Sequence, residues 1–378
     1  MQKRWMTLCV LLAACQRSGG VSKTAPEILV GEYSSLTGTE ATFGQSTHNG
    51  VTIAFDDINA AGGIHGRKIR LITEDDQSKA EEAASAVTKL ISSNSVAAII
   101  GEVASSNSLA AAPICESAKV PMITPSSTNP DVTKKGDYIF RMCFLDTYQG
   151  PVLAKFVAND LHLTRVAILT DVGSDYSRGL GAEFERVFTS VGGKIIAARS
   201  YAKGDSDFRP QLASIAAAKP EIIFIPGYYN DVAPIVSQGR DLGIRVPFIG
   251  GDGWESPKLL EIGGKALDGC MYSNHYHSDD PRPVVHDFVQ KYKERFGAKP
   301  DSIAALAYDA ARVLADAMRR AGPNFDSKSL RDAIGSTRDF AGVTGTITLG
   351  PDRNPIGKKV IIDEIKNGQL ALRATIQP

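Results

Sequence analysis

Residues 96–130 read VAAIIGEVASSNSLAAAPICESAKVPMITPSSTNP, and their pattern decides the architecture expected of the whole chain. Val96–Ile100 is a short, wholly apolar run that ends at Gly101. Ser106–Ala118 has the composition of a helix, and Met122–Ile123 is apolar again. A strand, a helix and a second strand, each apolar run too short to be a helix itself, make a crossover of a parallel sheet covered on both faces. Ligands of such sheets bind outside the carboxyl ends of the strands. Those ends are Glu102–Asn107 (EVASSN) and Thr124–Asn129 (TPSSTN), both rich in hydroxyls. Prolines 125 and 130 stiffen the second loop and remove two N–H donors, leaving Ser126, Ser127 and Thr128 as a rigid row.

The same alternation extends in both directions. Before this segment come strands at Glu27–Tyr33 and Lys68–Asp75 and helices at Gln45–Ala60 and Lys79–Ser92. After it come helices at Val152–Asp160, Ser177–Val191, Phe208–Ala217 and Val232–Leu242, interleaved with strands at Arg165–Leu169, Lys194–Ser200, Glu221–Ile225 and Pro247–Ile249. Helices follow at Pro283–Phe296 and Ser302–Ala321, with tail strands at Gly345–Leu349 and Lys358–Ile365. Two such runs, with a seam near Phe144–Pro151, predict an α/β chain of two doubly wound parallel-sheet lobes. Three further strand ends belong to the second run: TDVGSDY (Thr170–Tyr176), PGYYND (Pro226–Asp231) and GGDGW (Gly250–Trp254).

Lys and Arg together number 42, as do Asp and Glu, so the formal charge is zero and nothing favours nucleic acid. Lys3 and Arg4 precede a short apolar run, Trp5–Leu12, too short to span a bilayer but suited to export. The run closes in Leu12-Ala13-Ala14-Cys15, which looks like a lipobox with Cys15 as the lipidated residue; a plain signal peptide is the simpler alternative. Residues 16–26 are small and polar, as a tether requires. Beyond Cys9 and Cys15, three cysteines remain, Cys115, Cys143 and Cys270, read as small core residues or as one pair plus a thiol. The phosphate-binding, zinc-protease and nucleophile-elbow motifs are absent, and no nucleophile stands beside a base, so neither cofactor nor catalysis is expected. His275-Tyr276-His277 offers two metal ligands without a third and is read as a surface or hinge segment.

Ser105-Ser106-Asn107 opens a helix, where N–H groups and a hydroxyl can seat an anion or simply cap the helix. Thr128 can donate to the same anion, and the Ser126 carbonyl can accept from a cation. Asp252, between two glycines, can neutralise that cation or be an ordinary turn aspartate. Tyr176 and Tyr228 can wall the space or pack between lobes. An anion seat facing a carboxylate fits a small zwitterion, such as an α-amino acid.

Gly38 with Phe43-Gly44, INAAGGIHGRKIRLITEDDQS (Ile58–Ser78), IIGEVASS, ITPSSTNPDVT and TYQGP together resemble the leucine/isoleucine/valine-binding proteins of branched-chain amino-acid ABC importers, which are type I periplasmic binding proteins. The likeness runs from Glu27 to the C-terminus. It implies ligand-binding roles for Ser105 (carboxylate), Ser126 (carbonyl to ammonium), Thr128 (both), Tyr176, Tyr228, Asp252 in place of the usual glutamate, and Phe43 in place of a common tyrosine. The disulfide loop of some members is not reproduced, since Ala104 precedes Ser105. Chain crossings are implied near Phe144, His275–Asp280 and Pro351–Pro355. The expected division is a signal peptide at 1–15, a tether at 16–26, lobe 1 at 27–145 plus 280–350, and lobe 2 at 146–276 plus 355–378. The implied function is capture of a small, branched-chain or other aliphatic amino acid by hinge closure, by a monomer held to the membrane through a lipid anchor and delivering to an ABC permease. A lipid-anchored sensor, or a binder of amides, urea or aromatic acids, is the alternative.

Overall fold

The computed structural model describes residues 27–377; the export, tether and lipidation readings at 1–26, Cys9 and Cys15 included, lie outside them. The first run gives β1 (Glu27–Ser34), α1 (Ala41–Ala60), β2 (Lys68–Asp75), α2 (Ala80–Ser92), β3 (Ala98–Ile100), α3 (Ser105–Ala118), β4 (Met122–Thr124) and β5 (Ile139–Arg141). These strands form an all-parallel sheet in the order β2-β1-β3-β4-β5. The second run gives α4 (Asp146–Lys155), β6 (Arg165–Asp171), α5 (Asp175–Ser190), β7 (Lys194–Tyr201), α6 (Arg209–Ala217), β8 (Ile222–Ile225), α7 (Tyr229–Asp241), β9 (Phe248–Gly250), α8 (Pro257–Gly263) and β10 (Met271–Asn274).

The chain then returns to the first sheet with α9 (Pro283–Phe296), α10 (Ser302–Ala321), α11 (Ser327–Gly335) and the short hairpin β11 (Phe340–Gly342) and β12 (Gly345–Ile347). Residues of α1, α9 and α10 share one apolar core with β1, β3 and β4. Finally β13 (Val360–Lys366) and β14 (Gln369–Ile376) complete a second sheet in the order β14-β13-β10-β9-β8-β6-β7. Its β7-β6-β8-β9-β10 part is parallel, and the last two strands add antiparallel. The chain is therefore two doubly wound α/β units, and it passes between their sheets three times: before α4, after β10 and before β13.

Local chemistry explains several boundaries. Asp301 caps α10 by accepting from Ala304 N, Ser174 caps α5, and Asp326 and Ser329 form a reciprocal cap on α11. Gly297, at φ +72°, ends α9. The helix expected at Val152–Asp160 begins instead at Asp146 and runs through Pro151, closing with a wider turn over Phe156–Asp160. Proline there costs one N–H bond near the helix start, which the flanking packing tolerates. Cys115, Cys143 and Cys270 are all free and buried, which settles their reading as small core residues.

Candidate functional site

The loops at the carboxyl ends of the two sheets face each other around a small cavity. From the first unit come Phe43 on α1, Val103 after β3, Ser126 and Thr128 after β4, and Ile303 in the first turn of α10. From the second come Tyr176 on α5, Tyr228 just before α7, and Asp252 and Gly253 after β9. Six of the seven residues singled out in the sequence thus line one space. Ser105 stands behind the wall: it is the first residue of α3, buried, and its Oγ accepts from Asn129 N at 3.3 Å. It does not cap the helix, because the cap position is Ala104, without a side-chain bond.

The hydroxyl row is held from beneath. Ser127 N donates to Thr124 Oγ1 at 2.9 Å, and the single proton of the Ser127 hydroxyl is shared between the carbonyls of Glu102 (2.9 Å) and Val103 (3.0 Å), tying the two hydroxyl-rich loops together. Under the loop lies the guanidinium of Arg141, fully buried. It donates from Nε to Asn354 Oδ1 (2.6 Å), from Nη1 to Ser127 O and from Nη2 to Asn129 O (2.8 Å). Burial pulls the Arg141 pKa down, yet a guanidinium keeps its charge in a protein. A fixed cation directed at backbone carbonyls leaves Ser126 and Thr128 preset toward the cavity.

Asp252 is the one carboxylate on the wall. Its Oδ1 accepts from the Tyr176 hydroxyl at 2.9 Å, and its Oδ2 lies 2.9 Å from His275 Nε2. The flanking glycines permit this approach: a Cβ at Gly251 would meet the Tyr176 hydroxyl at 2.3 Å, and one at Gly253 would meet the Tyr228 ring at 2.7 Å. Tyr176 and Tyr228 stack nearly parallel, 5.1 Å between centroids, and Phe43 meets Tyr228 edge-on at 5.5 Å. Burial raises both tyrosine pKa values well above 10, so the Tyr176 hydroxyl remains a donor. Burial also lowers the pKa of His275, against the pull of Asp252, which keeps the ring neutral. Neutral imidazole donates from Nε2 to Asp252, and Nδ1 is left buried without a partner.

Residues 27–369 match the family described as periplasmic binding protein. The chain belongs to this family. Leu/Ile/Val-binding protein homolog 2 of Brucella abortus is 30% identical over 365 residues, 96% of this chain and 95% of that protein. The leucine binding protein LivK of Thermotoga maritima is 39% identical with a TM-score of 0.88, covering 93% of this chain and 99% of its own. LivJ of Streptococcus pneumoniae, solved in complex with isoleucine, is 31% identical with a TM-score of 0.88, covering 93% and 100%. The protein is thus a solute-binding protein of the ABC-transporter type, related to the leucine-binding proteins.

In this periplasmic binding protein the two units also touch each other directly at several points. Ser106 Oγ donates to Asp175 Oδ2 (2.9 Å), Asn129 Nδ2 to Asp175 O (3.1 Å), and Tyr229 OH to Thr39 O (3.1 Å). Thr42 and Ser256 share a hydroxyl pair at 2.8 Å. Lys203 Nζ reaches Glu40 at 3.0 Å and Ser78 O at 2.8 Å, and Glu255 accepts from Ser302 N at 3.1 Å.

Two corrections to the sequence reading follow. His275 lies at the crossing after β10, in line with the hinge reading, but it is not on the surface: it is 3% exposed, stacks on Phe144 at 3.8 Å and contacts Asp252. His277 is half-buried, 3.9 Å from Asp363. Val103, Ile303, Arg141, Asp146 and Gln149 were not singled out at all. Lone aliphatic residues look like core, and a lone arginine looks like surface.

Proposed function

We propose that this protein captures one small aliphatic amino acid between two lobes that close on it by hinge motion, as the extracytoplasmic component of an ABC importer. The single observation that carries the reading is the polarity of the cavity wall. Asp252 stands on one side with Tyr176 and Tyr228, Ser126 and Thr128 stand on the other, and Phe43, Val103 and Ile303 add apolar surface. Each Asp252 oxygen holds one donor and keeps a lone pair for an ammonium. The Ser126 carbonyl is the second ammonium acceptor. A carboxylate fits against Thr128, with Ser105 and the start of α3 directly behind it. Phe43 and Ile303 then receive an aliphatic side chain. Micromolar capture needs about 8 kcal/mol, which three or four hydrogen bonds to charged groups, at about 1.5–3 kcal/mol each, can supply. The named ligands of LivJ and the leucine-binding relatives support the same class.

The proposal includes lobe 1 at 27–145 plus 280–350 and lobe 2 at 146–276 plus 355–378, with the three crossings as the hinge. It also includes a monomeric, exported protein, anchored to a membrane through a lipid on Cys15 and handing its cargo to an ABC permease. No metal or cofactor has a part in it.

A thermal-shift panel of the twenty amino acids, acetamide, urea and benzoate tests the class, since a bound ligand raises the melting temperature by mass action. Leucine, isoleucine or valine is expected to stabilise. Stabilisation by benzoate or amides alone would overturn the zwitterion reading. Calorimetry with L-leucine on Asp252→Ala is expected to show a loss of at least tenfold in affinity.

A further inference from the structure

The segment that carries Asp252 runs on past the cavity and ends against the opposite unit. Asp252–Trp254 make one short turn, closed by Glu255 N donating to Asp252 O at 3.1 Å. That turn is anchored in the second unit at both ends. Asp252 N donates to Gln149 Oε1 at 2.8 Å, and Gln149 Nε2 donates to Asp146 Oδ1 at 3.2 Å. The Trp254 ring is fully buried, and its Nε1 donates to Ile225 O, at the end of β8, at 2.9 Å. Glu255 and Ser256 then reach across to the first unit. Glu255 Oε2 accepts from Ser302 N at 3.1 Å and from the Ser302 hydroxyl. The hydroxyls of Ser256 and Thr42 stand 2.8 Å apart.

We propose that Glu255 and Ser256 are positioning residues of the ligand site: together they set the depth of its apolar end, and so the side-chain length it prefers. The inference rests on the amino-acid reading above and deepens it. Ser302 directly precedes Ile303, and Thr42 directly precedes Phe43, the two residues of the first unit that receive the ligand side chain in that reading. Two consecutive residues of the second unit therefore each hold the immediate neighbour of one apolar wall residue. Asp252, at the other end of the same segment, marks the ammonium pole. The span from pole to wall is governed by five residues of chain, Asp252 to Ser256. Phe43 and Ile303 accordingly pack with Trp254 in one buried apolar cluster.

The bonding at the start of α10 leaves a place for this grip. Asp301, the cap within the chain, takes Ala304 N at 2.8 Å, and the N–H of Ser302 goes to Glu255 instead. A carboxyl of one unit thus completes the helix terminus of the other. Glutamate is seldom buried unless its oxygens are partnered, and Glu255 is buried at this contact. Asp301 Oδ2 also accepts from the Ser46 hydroxyl of α1 at 2.5 Å, one turn beyond Phe43, so the two wall helices are bonded to each other as well as to the clamp. Burial, then Asp301, push the Glu255 pKa up to about 8. A carboxyl oxygen accepts from an N–H with or without a proton on its twin, so the grip does not depend on the charge.

The experiment is calorimetry with L-leucine and L-alanine, at one pH, on the wild type, Glu255→Ala, Glu255→Gln and Thr42→Val. The wild type is expected to favour leucine at least about tenfold, the discrimination that added methylenes give in an apolar pocket. Glu255→Ala is expected to lose about fivefold in affinity for leucine, the effect of one hydrogen bond. For alanine, which has only a methyl group to set against the wall, the loss should stay below about twofold. Glu255→Gln keeps an amide oxygen for Ser302 N and should remain within about twofold of the wild type for both ligands. A merely structural role would weaken both amino acids alike, so an equal loss overturns the inference. So does an unchanged leucine affinity in Glu255→Ala, or a wild type that binds alanine as tightly as leucine. Each of these leaves the amino-acid site standing. Should Glu255→Ala not fold, Thr42→Val, which removes only the hydroxyl pair, decides by the same comparison. The expected loss is then about two- to threefold for leucine and none for alanine, and an equal or absent loss overturns the inference. If no amino acid binds the wild type, the underlying reading falls and this inference with it.

Discussion

His275 Nε2 and Asp252 Oδ2 stand 2.9 Å apart, both side chains buried, at the place where the chain leaves β10 for the first sheet. His275 stacks in turn on Phe144, which lies at the passage before α4. The acid that faces the cavity is therefore aligned by residues of two chain crossings, and any motion at those crossings is felt by the carboxylate. If the lobes close by hinge motion around a ligand, the residues that hold Asp252 are also residues of the crossings.

Replacing His275 by alanine is expected to weaken leucine binding about tenfold, the effect of losing one hydrogen bond to a charged group, about 1.5 kcal/mol. His275→Gln, which retains a donor, should recover part of it. Calorimetry reads both. Equal affinity in wild type and His275→Ala would show that Tyr176 alone suffices to hold Asp252.

Arg141→Met removes the guanidinium donor from the buried carbonyls of Ser127 and Asn129, while Asn354 Oδ1 keeps only Thr133 Oγ1, at 3.1 Å. The expected cost is about 2–6 kcal/mol of unfolding free energy, from two buried carbonyls that lose their charged donor at about 1–3 kcal/mol each. Arg141→Lys should fare little better, since one ammonium cannot reproduce the planar fork. Urea midpoints give the answer, and a loss below about 1 kcal/mol would remove Arg141 as the support of the hydroxyl loop.

The α/β alternation was legible because strands buried on both faces are uninterrupted apolar runs, as in AII at 98–100 and IIFI at 222–225. The hydroxyl, tyrosine and aspartate positions were legible because they follow those runs directly. Arg141 was not, since its partner Asn354 is 213 residues away and nothing local marks a buried guanidinium. The burial of His275, though not its place at a chain crossing, was hidden for the same reason: it depends on Phe144 and Asp252, distant in sequence. Asp146 was not legible because the helix was expected to begin at Val152, whereas it begins at Asp146 and runs through Pro151. β14 was missed because its face is largely exposed, with Leu370 and Leu372 open to solvent, so its pattern is that of a surface.

Lys203 joins the units outside the cavity, through Glu40 and Ser78 O. Its side chain is 45% exposed, so the ion pair itself contributes no more than about 1 kcal/mol. If the lobes open by hinge motion, the contact exists only in the closed form and acts on ligand release. Lys203→Ala is expected to speed leucine dissociation two- to fivefold, more at low salt than at high salt, in stopped-flow measurements. A release rate independent of Lys203 and of salt would mean that the pair takes no part in closure.

Asp231, in the first turn of α7, gives the pH dependence of the fold a definite sign. Burial, then Asp171 and Glu40, push its pKa from 3.8 up to about 7, with Lys203 pulling the other way. The folded protein therefore holds a proton that the unfolded chain releases, across the window from about 4 to 7. Stability from this group is complete below the unfolded value and is lost as pH rises through about 7. Asp231→Asn keeps the shape and removes the titration. The variant should match the wild type near pH 4 and melt several degrees higher at pH 8, with the gap opening between those values. Calorimetric melting at four or five pH values checks it. A constant gap would mean that Asp231 does not change protonation on unfolding, and a gap of opposite sign would mean that Lys203 outweighs burial and holds the carboxylate charged.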